Sequence, residues 1–174
     1  RAVYSIPDQE REFGHNLLEG DVMPVVVYFQ NGGDKEVVIN PESITLVSQD
    51  GIVLEPLSVP HLMELSEKSM WQSAGWALAF GIIGAAVSAH NVSETNERME
   101  ADFTNRLLKS KSLAKGRHTE GTLFYQLPES VKNLTGWQVQ AVVNQKAADQ
   151  LLTLKRDLHG ELVRKRPEQQ ASTE

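Results

Sequence analysis

From Ser69 to Ser93 the chain carries no Asp, Glu, Lys or Arg, and this uncharged window interrupts a sequence that otherwise reads as short β-strands. Nominally it is long enough for the ~20 residues of a membrane-spanning helix. Gln72, Ser73, Ser88, His90 and Asn91 erode both ends, however, and leave a strongly apolar centre from Trp76 to Ala89. A centre of that size is more often a buried or interfacial helix than a span. Ala77, Gly81, Ala85 and Ala89 recur every four positions, with Gly84 and Ser88 beside them. A helix here has one face without bulk, next to a face of Trp76, Phe80, Ile83 and Val87. Such small-residue faces let two helix backbones approach closely, in membranes and in soluble packing. Gly81 and Gly84 each cost a helix about 1 kcal/mol relative to Ala, which close contact would offset. The stripe could meet the chain's own next helix, the sheet, another protein, a second copy, or a bilayer.

On either side the pattern is that of strands. VMPVVVYFQ (Val22–Gln30) is β-branched and aromatic, and Asn31-Gly32-Gly33-Asp34 follows directly. Steps of this kind supply the positive φ of tight turns, which predicts a hairpin with EVVIN as its return strand, closed by Pro41. In the next strand Ile44 and Leu46 alternate with Thr45 and Val47, and a turn at Gln49-Asp50-Gly51 precedes IVLEPL. Later, GTLFYQL, GWQVQAVVN and LLTLKRD read as three more strands. Closely spaced short strands separated by turn signals indicate an antiparallel sandwich or barrel.

Residues from about 60 to 113 read as helical. Pro60 is tolerated in a first turn, and Val92, Met99, Phe103 and Leu107 fall on one helical face. Glu94–Arg98 and Asp102–Arg106 are spaced four apart with the acid first, the favourable order for exposed helix pairs. A single straight helix from Trp71 to Leu108 would run on the order of 55 Å at 1.5 Å per residue, far from the sheet it must rejoin. A hairpin of helices is therefore expected, bending near His90–Asn91, where Asn tolerates the left-handed conformation.

Composition narrows the function classes. A net charge of −6 argues against a nucleic-acid surface. The absence of cysteine excludes disulfides and thiolate metal sites. The five histidines (His15, His61, His90, His118 and His159) form no HxH or HExxH spacing. His118–Glu120 and His159–Glu161 lie in polar, loop-like sequence and read as solvated turns. GxSxG, P-loop and GxGxxG motifs are absent. The expectation is a chain that is not an enzyme, with no catalytic, cofactor-binding or metal-ligating residues. Asn91-Val92-Ser93 and Asn133-Leu134-Thr135 match the glycosylation pattern, which matters only for a eukaryotic secreted chain. Basic residues gather late, at Lys155, Arg156 and Arg164–Arg166, ahead of a polar end without apolar periodicity.

PVVVYFQNGGDKEVVINPESITLVSQDGIVLEP and LAKGRHTEGTLFYQLPE together resemble the telokin-like, immunoglobulin-like domains of bacterial surface and periplasmic lipoproteins. Asn31, Gly32, Asp50, Gly51, Leu113, Gly116, Gly121, Leu123, Phe124 and Pro128 carry the likeness, with Leu123 and Tyr125 on one side of a strand and Phe124 on the other. It covers the two β-blocks, about half the chain, and the helical block between them departs from the pattern. The resemblance implies an immunoglobulin-like antiparallel β-sandwich in the bacterial periplasm or at the outer membrane, and implies no catalytic residues.

The fold expected is thus mainly β, a sandwich with an inserted α-helical hairpin. Residues 1–57 would form its N-terminal half, 58–115 the hairpin, 116–158 the C-terminal half, and 159–174 a disordered polar tail. The function expected is that of a structural or interaction subunit of an envelope assembly, such as a secretion-system outer-membrane complex. Its partners would be other envelope proteins or itself, not nucleic acid, met through the sheet edges and the stripe Ala77, Gly81, Gly84, Ala85, Ser88 and Ala89. A lipidated residue before Arg1 would anchor it. Two alternatives stand beside this: a hairpin that inserts residues 71–89 into a bilayer, and a periplasmic module for a small ligand or lipid.

Overall fold

The computed structural model describes residues 5–13, 16–70, 89–146 and 150–162. The chain is mainly β, with antiparallel sheets. Its strands are β1 (Val22–Gln30), β2 (Val37–Ile39), β3 (Ile44–Val47), β4 (Val53–Leu54), β5 (Lys111–Leu113), β6 (His118–Gln126), β7 (Gln138–Gln145) and β8 (Gln150–Asp157). The described helices are α1 (Ile6–Phe13), α2 (Val59–Met70) and α3 (Ala89–Arg106), with short 3-10 turns at Leu17–Gly20 and Pro41–Ser43.

β7 is the spine of the larger sheet. β8 pairs along its whole length on one side, while β2 and β3 share the other side end to end. Val38 stands opposite Asn144 and Ile44 opposite Ala141, so six steps on one chain match three on the other. The surplus is taken up by the 3-10 turn at Pro41–Ser43, where the Ser43 hydroxyl donates to the Val142 carbonyl at 2.7 Å. Beyond them, β5 pairs with β2 and β4 with β3. Among the described residues, the smaller sheet contains β1 and β6 alone.

The two sheets share one apolar core. Met23, Val25 and Val27 of β1 and Leu123 and Tyr125 of β6 meet Ile39, Ile44, Leu46, Ala141 and Val143 of the larger sheet. Tyr125 closes it with a polar link, its hydroxyl donating to the Ile44 carbonyl at 3.0 Å. The opposite face of the small sheet is buried as well. Val22 and Phe124 pack against Phe13 of α1, Leu62 of α2, and Met99 and Phe103 of α3. Phe124 receives the rings of Phe13 and Phe103 edge-on, at 5.8 and 5.4 Å between centroids. A strand covered on both faces needs a near-continuous apolar run, which explains why VMPVVV shows no polar alternation.

Three local expectations are corrected. The hairpin expected at Asn31–Asp34 does not form: β1 pairs with β6, and β2 joins the other sheet. The Asn31 side chain is the reason. Its Nδ2 donates to the carbonyls of Lys35 (2.7 Å) and Leu113 (2.9 Å), and its Oδ1 accepts from the Gly33 N–H (3.0 Å). Its backbone meanwhile continues the β1–β6 pairing to Arg117 and Gly116. The segment therefore leaves β1 as a crossing loop, and Ile39 reaches the core from the larger sheet. His90 and Asn91, near which a bend was expected, are themselves helical, in the first turn of α3, so the bend does not fall on them; the residues before Ala89 lie outside the described residues. Finally, residues 6–13, counted with the N-terminal half of the sandwich by sequence, form α1. Eight residues are too few to be helical by propensity alone; Phe13, buried beside Phe124, ties this helix down.

The amphipathic helix was legible: Met99 and Phe103 are buried four apart in α3, and Arg106 Nε donates to Asp102 Oδ2 at 2.7 Å. Residues 159–162, counted with the polar tail by sequence, belong to the fold. Leu162 is buried in the core, its N–H donating to the Lys132 carbonyl at 2.9 Å. The residues after 162 lie outside the described residues.

Candidate interaction site

The feature of the fold that invites a second molecule is the mismatch in width between the sheets. Among the described residues, the larger sheet ends in β8, and the smaller has no strand on the β1 side to lie over it. β8 forms because LLTLKRD is apolar and alternating enough to pair along all of β7, and the register is unbroken by any bulge.

The backbone of β8 can be read rung by rung. Leu158 N–H donates to the Trp137 carbonyl at 2.8 Å, so these two directly opposed residues form a hydrogen-bonded pair. Pairs alternate in an antiparallel ladder. Arg156, Leu154 and Leu152 therefore bond to β7, while Leu151, Thr153, Lys155 and Asp157 turn their N–H and C=O outward. Among the described residues, none of these outward groups is hydrogen-bonded.

Side chains follow the same period. Leu152 and Leu158 face the core, which puts Leu154 and Arg156 on the inward face too. Yet Leu154 is 47% exposed. It lines a cavity of about 480 Å³ with Val25, Val27 and Phe29 of β1 and Ala141 of β7. An inward leucine left half open is the mark of an incompletely covered core. On the outward face Leu151 is 66% exposed.

Charge gathers at the same place. Lys155, Arg156 and His159 border the cavity against the single acid Asp157, which accepts a hydrogen bond from Gln138 Nε2 at 2.7 Å. At the rim the Tyr28 ring stacks on His118 at 5.4 Å. His118 and Glu120 thus lie in β6 rather than in the loop expected from sequence. Elsewhere, the Glu36 carboxyl is held below its usual range, first by the Ser112 hydroxyl that donates to it and then by Lys146. Burial pushes the Tyr125 phenol well above its ordinary range.

The residues singled out by the sequence fare differently. Ala77, Gly81, Gly84, Ala85 and Ser88 lie outside the described residues, and Ala89 is the first residue of α3. His61 is exposed on α2 and His159 follows β8. Among the described residues, no cluster of three or more His, Asp or Glu is placed to hold a metal ion, and no helix is long and apolar enough to cross a membrane. Sequence reasoning pointed to sheet edges without saying which. The alternation in LLTLKRD was visible, but that β8 lacks cover depends on the width of the other sheet.

No family model, curated protein or solved structure matches this chain.

Proposed function

We propose that this chain is a non-enzymatic interaction module, a structural subunit of a bacterial cell-envelope assembly such as the outer-membrane part of a secretion system. The observation that carries the reading is the open backbone edge of β8 beside a half-open core. Natural sheets usually guard such edges with prolines, bulges or inward charges, because an unguarded edge recruits another strand. β8 has neither proline nor bulge, and its guards are charges, Lys155 on the edge and Arg156 on the inward face, which admit a strand of complementary charge more readily than a like-charged one.

The strand order supports an immunoglobulin-like sandwich as the scaffold. β1 pairs with β6 in one sheet, and β4, β3, β7 and β8 follow one another in the second, with the chain crossing between sheets from β1 to β2 and from β6 to β7. That is the arrangement of the inner strands of such domains. Asn31, Leu113 and Gly116, quoted for the telokin-like resemblance, meet through hydrogen bonds, which adds to it. The inserted helical hairpin is supported by α2 and α3 lying against each other on the small sheet. Placement in the periplasm or at the outer membrane, and a lipid anchor preceding Arg1, rest on the resemblance alone.

The test is affinity capture from detergent-solubilised envelopes. A defined, stoichiometric set of envelope proteins is the expected result; recovery of none overturns the subunit reading. The cavity also favours a second reading, a module for a small apolar ligand, since its volume falls within the ~300–1,000 Å³ of ligand pockets. Native mass spectrometry of the purified chain, with and without added palmitate, decides that one: a stoichiometric adduct supports it, and a bare mass throughout ends it.

A further inference from the structure

We infer that the outer edge of β8 accepts an extended acidic segment of a partner protein as an added strand, whose apolar side chains enter the cavity beside Leu154. The inference deepens the interaction-module reading and rests on it. Three independent features select this occupant. The edge offers hydrogen-bonding groups at Leu151, Thr153, Lys155 and Asp157, one pair every second residue, the spacing an extended chain satisfies. The cavity sits against the inward face of the same strand and exposes Leu154, so alternate side chains of an added strand find apolar cover.

The third feature is charge. The chain as a whole is acidic, at −6, but along this edge two cations, Lys155 on the outward face and Arg156 on the inward face, accompany one acid, Asp157. That acid, Asp157, is already bonded by Gln138, and the neighbouring β7 positions Gln138 and Gln140 are neutral. Such a spot attracts carboxylates.

The experiment uses the full chain and two fluorescein-labelled peptides of about nine residues, one alternating Val with Glu and one alternating Val with Lys, read by fluorescence anisotropy. The Val/Glu peptide is expected to bind and the Val/Lys peptide to bind far more weakly. Reversing both cations, Lys155→Glu with Arg156→Glu, should weaken the Val/Glu peptide by about tenfold and invert the preference. Thr153→Pro should abolish binding, because it removes an outward N–H and blocks the edge while leaving the ladder to β7 intact. The charge reversal stands as a test should the proline variant fail to fold. Equal binding of both peptides, or binding indifferent to the charge reversal, overturns the inference. So does concentration-dependent dimerisation of the wild-type chain that Thr153→Pro removes, since the edge would then belong to a second copy. Capture of a defined envelope set that persists in the charge-reversed variant would sink this inference and leave the subunit reading standing.

Discussion

The Cα of Leu108 lies 2.4 Å from the point where a Cβ on Gly121 would stand, and the Leu108 backbone nitrogen lies 2.6 Å from it. The chain leaving α3 crosses β6 at this point, held by the Leu108 N–H donating to the Thr122 carbonyl at 3.0 Å. Gly121 is therefore where the helical block is stitched to the small sheet, and its role is lack of bulk rather than an unusual φ. Gly121→Ala must push one backbone off another, and a loss of about 3 kcal/mol is expected in urea unfolding. Gly116→Ala is the contrast: its φ is +75° with open space around the Cβ position, so only backbone strain of about 1 kcal/mol is expected.

Asn31 is buried and ties two loops together through its Nδ2. Asn31→Ala leaves the Lys35 and Leu113 carbonyls without those donors, at an expected ~2–3 kcal/mol. Asn31→Asp keeps the size and the acceptor but offers the two carbonyls no N–H. It is expected to be at least as destabilising as Ala at neutral pH, by the same unfolding measurement, which separates lost donors from lost volume.

Phe124 is the contact between the small sheet and the helices, with Phe13 and Phe103 edge-on to it. Phe124→Ala is expected to cost about 3–5 kcal/mol, and Phe124→Leu, nearer in volume, ~1.5 kcal/mol or less. The same variants should lose near-ultraviolet circular dichroism from the aromatic cluster before the far-ultraviolet β signal, because the inter-sheet core lies on the other face of β6.

These three positions show which parts of the fold a linear reading reaches. The alternation of Ile44 and Leu46 with Thr45 and Val47, and the spacing of Met99 and Phe103, are local and periodic, so β3 and α3 are legible. The opposed faces of Leu123–Tyr125 and Phe124 are legible for the same reason. The partner of β1 is not, because Asn31 converts a hairpin signal into a crossing loop through a contact with Leu113, far along the chain. α1 is hidden because Phe13 becomes an anchor only once Phe124 is placed. The openness of Leu154 is hidden more deeply still, being set by the number of strands in the opposite sheet.

Tyr125 gives the fold an alkaline limit. Its ring is fully buried, and desolvation holds the phenol protonated beyond its ordinary range. In the unfolded chain a tyrosine releases its proton near pH ~10. Above that pH the folded state binds more protons than the unfolded state, so stability falls as pH rises. The contribution is whole below the unfolded value and is lost progressively toward the raised folded one. The slope from one such group is about 1.4 kcal/mol per pH unit. Tyr125→Phe removes the titration and should flatten this fall between pH ~10 and 11, relative to wild type, in urea unfolding followed by circular dichroism. At neutral pH the same substitution leaves the Ile44 carbonyl without its hydroxyl donor, at a cost of about 1 kcal/mol. The two stability curves should therefore converge as the solution becomes more alkaline. Parallel curves across that range would mean that Tyr125 ionises in the folded state as readily as in the unfolded one.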